Sequence, residues 1–243
     1  MYPDGAFLTA AAVLAAGAFA SIKLRKLTPA AGIAAFLVGL AIYAGGGLAG
    51  LLSLAVFFIL ATLATAYRKQ VKARLFHEIQ HQERRKVGQV LANGGIAALA
   101  GLLACLMPQQ QAWFTLMLAG ALSSATADTL ASELGMVYGR RAVNILSWKR
   151  EARGLDGVVS LEGTLTGIGG SMLIALTDAL GNDFGPRFVI VVLAGTLGNL
   201  ADSILGAALE RKHYVSNNWV NTVNTLVAAL AAGAIGYGRN GWL

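Results

Sequence analysis

A chain of 243 residues has room for one ordinary domain or two small ones, yet 56% of it is hydrophobic and only 13% charged, against roughly 25% charged in soluble domains. With a mean hydropathy of +0.62, so much apolar surface cannot be hidden in a water-soluble fold of this size. Disorder, collagen, coiled coil and a disulfide scaffold are excluded with it, and the composition predicts an all-α, polytopic membrane helix bundle.

In chain order, runs long enough to cross a bilayer core of about 30 Å are read at Ala6–Ile22, Ala30–Ala44, Leu48–Tyr67, Val90–Met107, Trp113–Ser132, Val158–Leu180, Phe188–Leu209 and Val220–Tyr237. The second is short and ends in Gly45-Gly46-Gly47; it either re-enters the membrane or pairs tightly with the third. The first is not read as a cleaved signal peptide. Met1-Tyr2-Pro3-Asp4-Gly5 has no positive charge, and Lys23, Arg25 and Lys26 follow the apolar run instead of preceding it. Cys105 stands alone, so an intrachain disulfide is excluded.

About eight spans with both termini outside put seventeen of the nineteen Lys and Arg on the inner side and leave only Arg187 and Arg239 outside. That asymmetry is the positive-inside signature. The net charge of +7 and a pI near 9.8 therefore speak for orientation and anionic lipid, and nucleic acid is not an expected partner. The organisation is a single membrane domain over 1–243: less characteristic helices over 1–67, a cytoplasmic loop over 68–88 and a motif-bearing core over 89–243.

Carboxylates inside a bilayer cost roughly 2.5–3.5 kcal/mol each, so they mark function or pairing. Asp128 and Glu133 fall at the inner end of the fifth span, Asp156 and Glu162 open the sixth, and Asp202 lies in the inner half of the seventh. Arg85, Gln89 and Asn93 recur every four residues into the fourth span. Asn217, Asn221 and Asn224 share one face as the eighth begins. The outer side offers only Asp178, Asn182 and Asp183, which read as loop and cap residues. Acids without nearby His or Cys suit a hard cation such as Mg²⁺, and the basic residues beside them suit phosphate. A Gly-containing turn (Gly154, Gly157) leads into a helix whose free N–H groups attract anions. No Walker-type phosphate loop exists. His77-Glu78-Ile79-Gln80-His81 has the form of a zinc-protease motif, but it sits in a basic segment and is read as a polar helical face.

Four ordered stretches resemble the successive motifs of one family, that of plant phytyl-phosphate kinase and the transmembrane protein 19 type. They are Asp128 to Gly135, Gly154 to Thr164, Ala201 to Ala207, and Asn217 to Thr225, with Arg85 to Gly94 resembling an earlier one. Leu155 stands where a small polar residue is usual, and Leu130 where Trp is frequent. The resemblance implies transfer of phosphate from a nucleoside triphosphate, often CTP, to a prenyl or phytyl monophosphate.

On that footing Asp128, Glu133, Glu162 and Asp202 are expected to be catalytic and to hold Mg²⁺. Arg85, Lys149, Arg150, Arg153, Gly154, Ser160, Gly163 and Thr164 are expected around the phosphates, with Asn93, Asn217, Asn218, Asn221 and Asn224 as polar supports. Gly167, Gly169 and Gly170 would allow close packing or entry of the isoprenoid tail. The expected setting is a bacterial or archaeal plasma membrane with the site facing the cytoplasm, surrounded by membrane lipid. A transporter or lipid-binding protein, or a CTP-dependent nucleotidyltransferase acting on a lipid phosphate, is the alternative. Transport is disfavoured because no inverted repeat is visible.

Overall fold

Without water in the hydrocarbon layer, each backbone N–H and C=O must be satisfied within its own segment, and apolar runs become helices. The computed structural model describes residues 4–73, 84–182 and 184–237. The long helices are α1 (Asp4–Lys23), α2 (Pro29–Ala66), α4 (Val87–Leu106), α5 (Gln111–Tyr138), α6 (Leu161–Ala179), α7 (Pro186–Leu205) and α8 (Asn217–Tyr237); a short α3 covers Lys69–Ala73. The His77 to His81 stretch, Arg74, Asp183 and Arg239 lie outside the described residues.

At 1.5 Å per residue the 38 residues of α2 would reach roughly 57 Å, nearly twice the hydrocarbon thickness. The helix does not run straight: Gly47 has φ 56° and ψ −148°, a conformation that side-chain-bearing residues avoid. The two arms fold back into a hairpin, so that a Cβ on Gly50 would lie 3.1 Å from the Ile42 side chain. The first arm lies along α4, with Val38 against Gly94 and Ile42 against Gly101. The second arm ends beside the end of α5, where the Tyr67 and Tyr138 hydroxyls meet at 2.6 Å. The short second run thus pairs with the third, and α2 makes two passes. Counted this way the described residues form eight long helical segments. Asp4 and Tyr237 come to the same end of the bundle, because Tyr43 donates to Ala6 O and Trp113 to Gly233 O.

Helix α5 is the central column, packed against α2, α4, α6, α7 and α8. Its buried face is made of small residues, Ala119, Gly120, Ala121, Ser123, Ser124 and Ala125 among them, which let backbones approach closely in a membrane. Helices α1, α2, α4, α8 and α7 with its following turn are long and apolar enough to cross a bilayer; α5 and α6 are not, by composition. Their polar residues are tolerated because neighbouring helices cover them.

Some boundaries differ from expectation. The sixth run was expected to start at Val158, but Val158–Val159 pair as a short strand β2 with β1 (Val143–Asn144). The helix begins only after Ser160, whose Oγ accepts from Gly163 N at 3.1 Å. Helix α5 continues to Tyr138, past the expected Ser132. Helix α7 gives way at Gly206 to a π turn, Gly206–Glu210.

The contact between α2 and α4 is close enough to test. A Cβ on Gly101 would press into the Ala41 carbonyl, and backbone cannot yield as a side chain can. Gly101→Val is expected to lower stability by about 1–3 kcal/mol, the usual cost of overpacking. Thermal unfolding in detergent should show a lowered midpoint, whereas Gly169→Val, whose Cβ has nothing within 4 Å, should leave it unchanged.

Candidate active site at the inner end of the bundle

A small cleft of about 170 Å³ opens where α5, α6, α7 and the start of α8 meet. Helix α5 supplies Asp128, Ser132 and Gly135 to it, at i, i+4 and i+7. Helix α7 supplies Asn199, Asp202 and Ser203. The carboxyl groups of Asp128 and Asp202 face each other closely enough to interact directly. Behind them Asn224, fully buried on α8, donates from Nδ2 to Asp202 Oδ1 at 2.6 Å. Its own Oδ1 accepts from Ser124 Oγ at 3.0 Å. The chain Ser124–Asn224–Asp202–Asp128 therefore holds one carboxyl group rigidly against the other.

Two further acids complete the electrostatics. The turn Arg153 to Gly157 crosses over the π turn, with Gly157 backbone seated against Ala207. This brings Asp156 and Glu210 to the cleft, both within electrostatic reach of Asp202. The wider i→i+5 turn retards the helical rotation, so Glu210 faces the side that Asp202 faces. Burial pushes the Asp156 carboxyl above the ordinary carboxylate range, with Arg211 and His213 pulling it partly back.

Gly154 (φ 90°) and Gly157 (φ 72°) form the turn predicted to lead into a helix start, and Ser160, Gly163 and Thr164 line the cleft from α6. Arg153 also lines it, while its guanidinium donates to Val137 O and Gly139 O at 3.1 and 3.3 Å. It therefore closes the end of α5. Asn217 lines the cleft beside Glu210.

The structure does not gather the four expected metal-binding acids. Glu133 is bound by Lys72 at 2.6 Å, and Glu162 accepts from Arg140 N at 3.3 Å. Only Asp128 and Asp202 meet. Lys149 and Arg150 lie on the loop bearing β1 and are absent from the cleft lining, as are Asn218 and Asn221; Asn221 is bonded to Asn217 at 3.2 Å. Arg85 and Asn93 line a different space between α1, α2 and α4. Gly167 and Gly170 are filled by Ala127 and Asn199, and by Leu130 and Thr126. They pack helices and admit no tail. At the opposite end Asp178, read as a loop or cap residue, is instead buried within α6 and takes Arg187 through two hydrogen bonds of 2.6 and 3.0 Å.

Two residues escaped the sequence reading. Glu210 follows the seventh apolar run and reads as loop. Lys72 is 6% exposed and donates to Ala64 O, Thr65 O and Glu133; nothing in its basic neighbourhood distinguishes it from exposed lysines.

Two touching carboxylates repel unless a proton or a cation lies between them. Among the described residues no Lys or Arg forms an ion pair with either, and no three His, Cys, Asp or Glu side chains converge as a complete metal cage. An all-oxygen pair with an open side fits Mg²⁺, which commonly takes one or two carboxylates and completes its shell with water and phosphate oxygens.

Residues 12–229 match the family described as Integral membrane protein DUF92. The chain is 31% identical over 211 residues to Protein VTE6, chloroplastic, of Arabidopsis thaliana, an overlap covering 84% of this chain and 63% of that protein. The chain thus spans just under two thirds of the plant protein's length. It is 35% identical over 185 residues to an uncharacterized membrane protein of Methanocaldococcus jannaschii, covering 74% of this chain and 73% of the relative. A second uncharacterized membrane protein, from Synechocystis, is 30% identical over 222 residues, covering 88% and 85%. No solved structure matches the chain.

Proposed function

The chain belongs to the DUF92 integral membrane family, and from that premise we propose that it is a phosphotransferase converting a prenyl or phytyl monophosphate to the diphosphate. The observation that carries this reading is the Asp128–Asp202 pair, braced by Asn224 and opening onto a glycine turn and a helix start. The likeness of the surrounding motifs to those of the phytyl-phosphate kinase group supports the acceptor. The donor is a nucleoside triphosphate, CTP by the same likeness.

A phosphate monoester is largely a dianion at neutral pH, its second pKa being about 6. It needs no strong general base, and none is required of this site. An acceptor oxygen attacks the γ-phosphorus, the new P–O bond forms as the β–γ bridging bond breaks, and the nucleoside diphosphate departs. The demands are in-line positioning and charge neutralisation. Asp128 and Asp202 would hold Mg²⁺, and bound there it would supply the neutralising charge. Asn224 and Ser124 fix the direction in which Asp202 presents its oxygens. The turn at Gly154 and the start of α6 would receive the phosphates, and Asp156 and Glu210 at the cleft would serve a second cation or its waters. The cleft end carries most of the basic loops, which supports placing it on the cytoplasmic side.

Two experiments test this. CTP labelled at the γ-phosphate should yield labelled lipid diphosphate, whereas α-labelled CTP should leave all label in CDP. Label from the α-position in the lipid, with released diphosphate, would make the enzyme a nucleotidyltransferase. Because a raised Asp156 keeps its proton to higher pH, protons compete there with cation as pH falls. The apparent Mg²⁺ requirement should rise as pH falls, beginning above the ordinary carboxylate range of about 4, and Asp156→Asn should flatten that rise. An unchanged profile in the variant would remove Asp156 from the site.

A further inference from the structure

The space occupied by Arg85 and Asn93 has its own character. A groove of about 760 Å³ runs between α1, the two arms of α2 and the start of α4, lined almost wholly by apolar side chains. That size falls within the ~300–1,000 Å³ of small-ligand pockets. Leu14 on α1, Phe36 on the first arm of α2, and Leu51 and Ala55 on the second define its length. It extends from Tyr43 and Leu48 at the outer end of the bundle to Arg85 at the inner end. The polar residues of α4 sit only at the inner mouth. There the Arg85 guanidinium lies over the Phe58 ring, 5.6 Å from its centre, and among the described residues it has no ion-pair partner.

A half-buried guanidinium with no ion-pair partner among the described residues, at one end of an apolar slot, matches a molecule with one hydrocarbon chain and an anionic head. Arg85 is also within electrostatic reach of Glu133, and Glu133 is within reach of Asp128. The mouth of the groove and the acidic cleft therefore lie at the same end of the bundle, with the inner part of α5 between them.

We propose that this groove receives the chain of an isoprenoid monophosphate and that Arg85 holds its phosphate. The identity of the lipid rests on the prenyl-phosphate reading above; the location does not. The groove becomes a holding site in which the acceptor is taken from the bilayer, with α1 and α2 along its chain, before its phosphate passes to the acidic cleft.

The test uses the full-length protein in nanodiscs and geranylgeranyl monophosphate carrying a diazirine near its tail end, without nucleotide or Mg²⁺. Irradiation and peptide mapping should place the label on α1 and α2, around Leu14, Leu51 and Ala55. Unlabelled geranylgeranyl phosphate should displace it at least tenfold better than geranylgeraniol or phosphatidylglycerol. Arg85→Gln should weaken labelling about tenfold. Ala55→Trp should block it, and Ala35→Leu serves if that variant does not fold. Labelling confined to α6, α7 or α8, or displacement by phosphatidylglycerol as readily as by prenyl phosphate, would overturn the proposal. Since labelling needs no turnover, labelled protein that makes no diphosphate sinks only the kinase reading. Active protein labelled only elsewhere sinks only the groove.

Discussion

Asp202→Asn should cut turnover by a factor of about 10²–10³, comparable to removing one essential electrostatic group from an active site, without unfolding the protein. The same holds for Asp128→Asn. The amide is the same size as the carboxyl group, and an Asn at 202 can still accept from Asn224 through its oxygen. Removing one of two facing negative charges relieves repulsion, so the thermal midpoint should stay level or rise. Loss of activity at undiminished stability is the signature of a carboxylate pair kept for its charge. Full activity in both variants, measured as diphosphate formed per folded protein, would move the chemistry elsewhere.

Lys72→Met is expected to act in the opposite way. Lys72 and Glu133 have side chains 7% and 18% exposed, 2.6 Å apart, and the ammonium also satisfies two carbonyls at the end of α2. Removing one partner of such a buried pair typically costs about 3–5 kcal/mol, because the other charge is stranded. Thermal unfolding in detergent should show a large fall in midpoint for Lys72→Met. The double variant Lys72→Met, Glu133→Leu should recover most of it, as two apolar groups need no partners. A midpoint unmoved by Lys72→Met would mean that the second arm of α2 does not depend on this clamp.

These two predictions divide residues that look alike in one dimension. Asp128 and Glu133 are five positions apart, about 140° around a helix, so they cannot face the same cleft. One meets Asp202; the other meets Lys72. Periodicity was sufficient to group Asn217 with Asn221 and Asn224, because they repeat at helical spacing. It could not say which helix each face would meet. Arg85, Gln89 and Asn93 form a clean stripe, yet the stripe opens on the lipid groove and not on the carboxylates. The spans were legible because apolar runs of bilayer length have one outcome in lipid, and Gly45-Gly46-Gly47 marked the reversal of α2. Glu210 was not legible, since a π turn leaves no pattern in composition and only the turn places that acid beside Asp202.

The central claim is most directly tested by purified protein in detergent, supplied with a prenyl monophosphate, Mg²⁺ and each of CTP, ATP, GTP and UTP in turn, with the lipid product identified by mass. A prenyl diphosphate and a nucleoside diphosphate are expected from at least one donor, and both should be lost in Asp202→Asn. No diphosphate from any donor, with the protein shown to be folded, would contradict it.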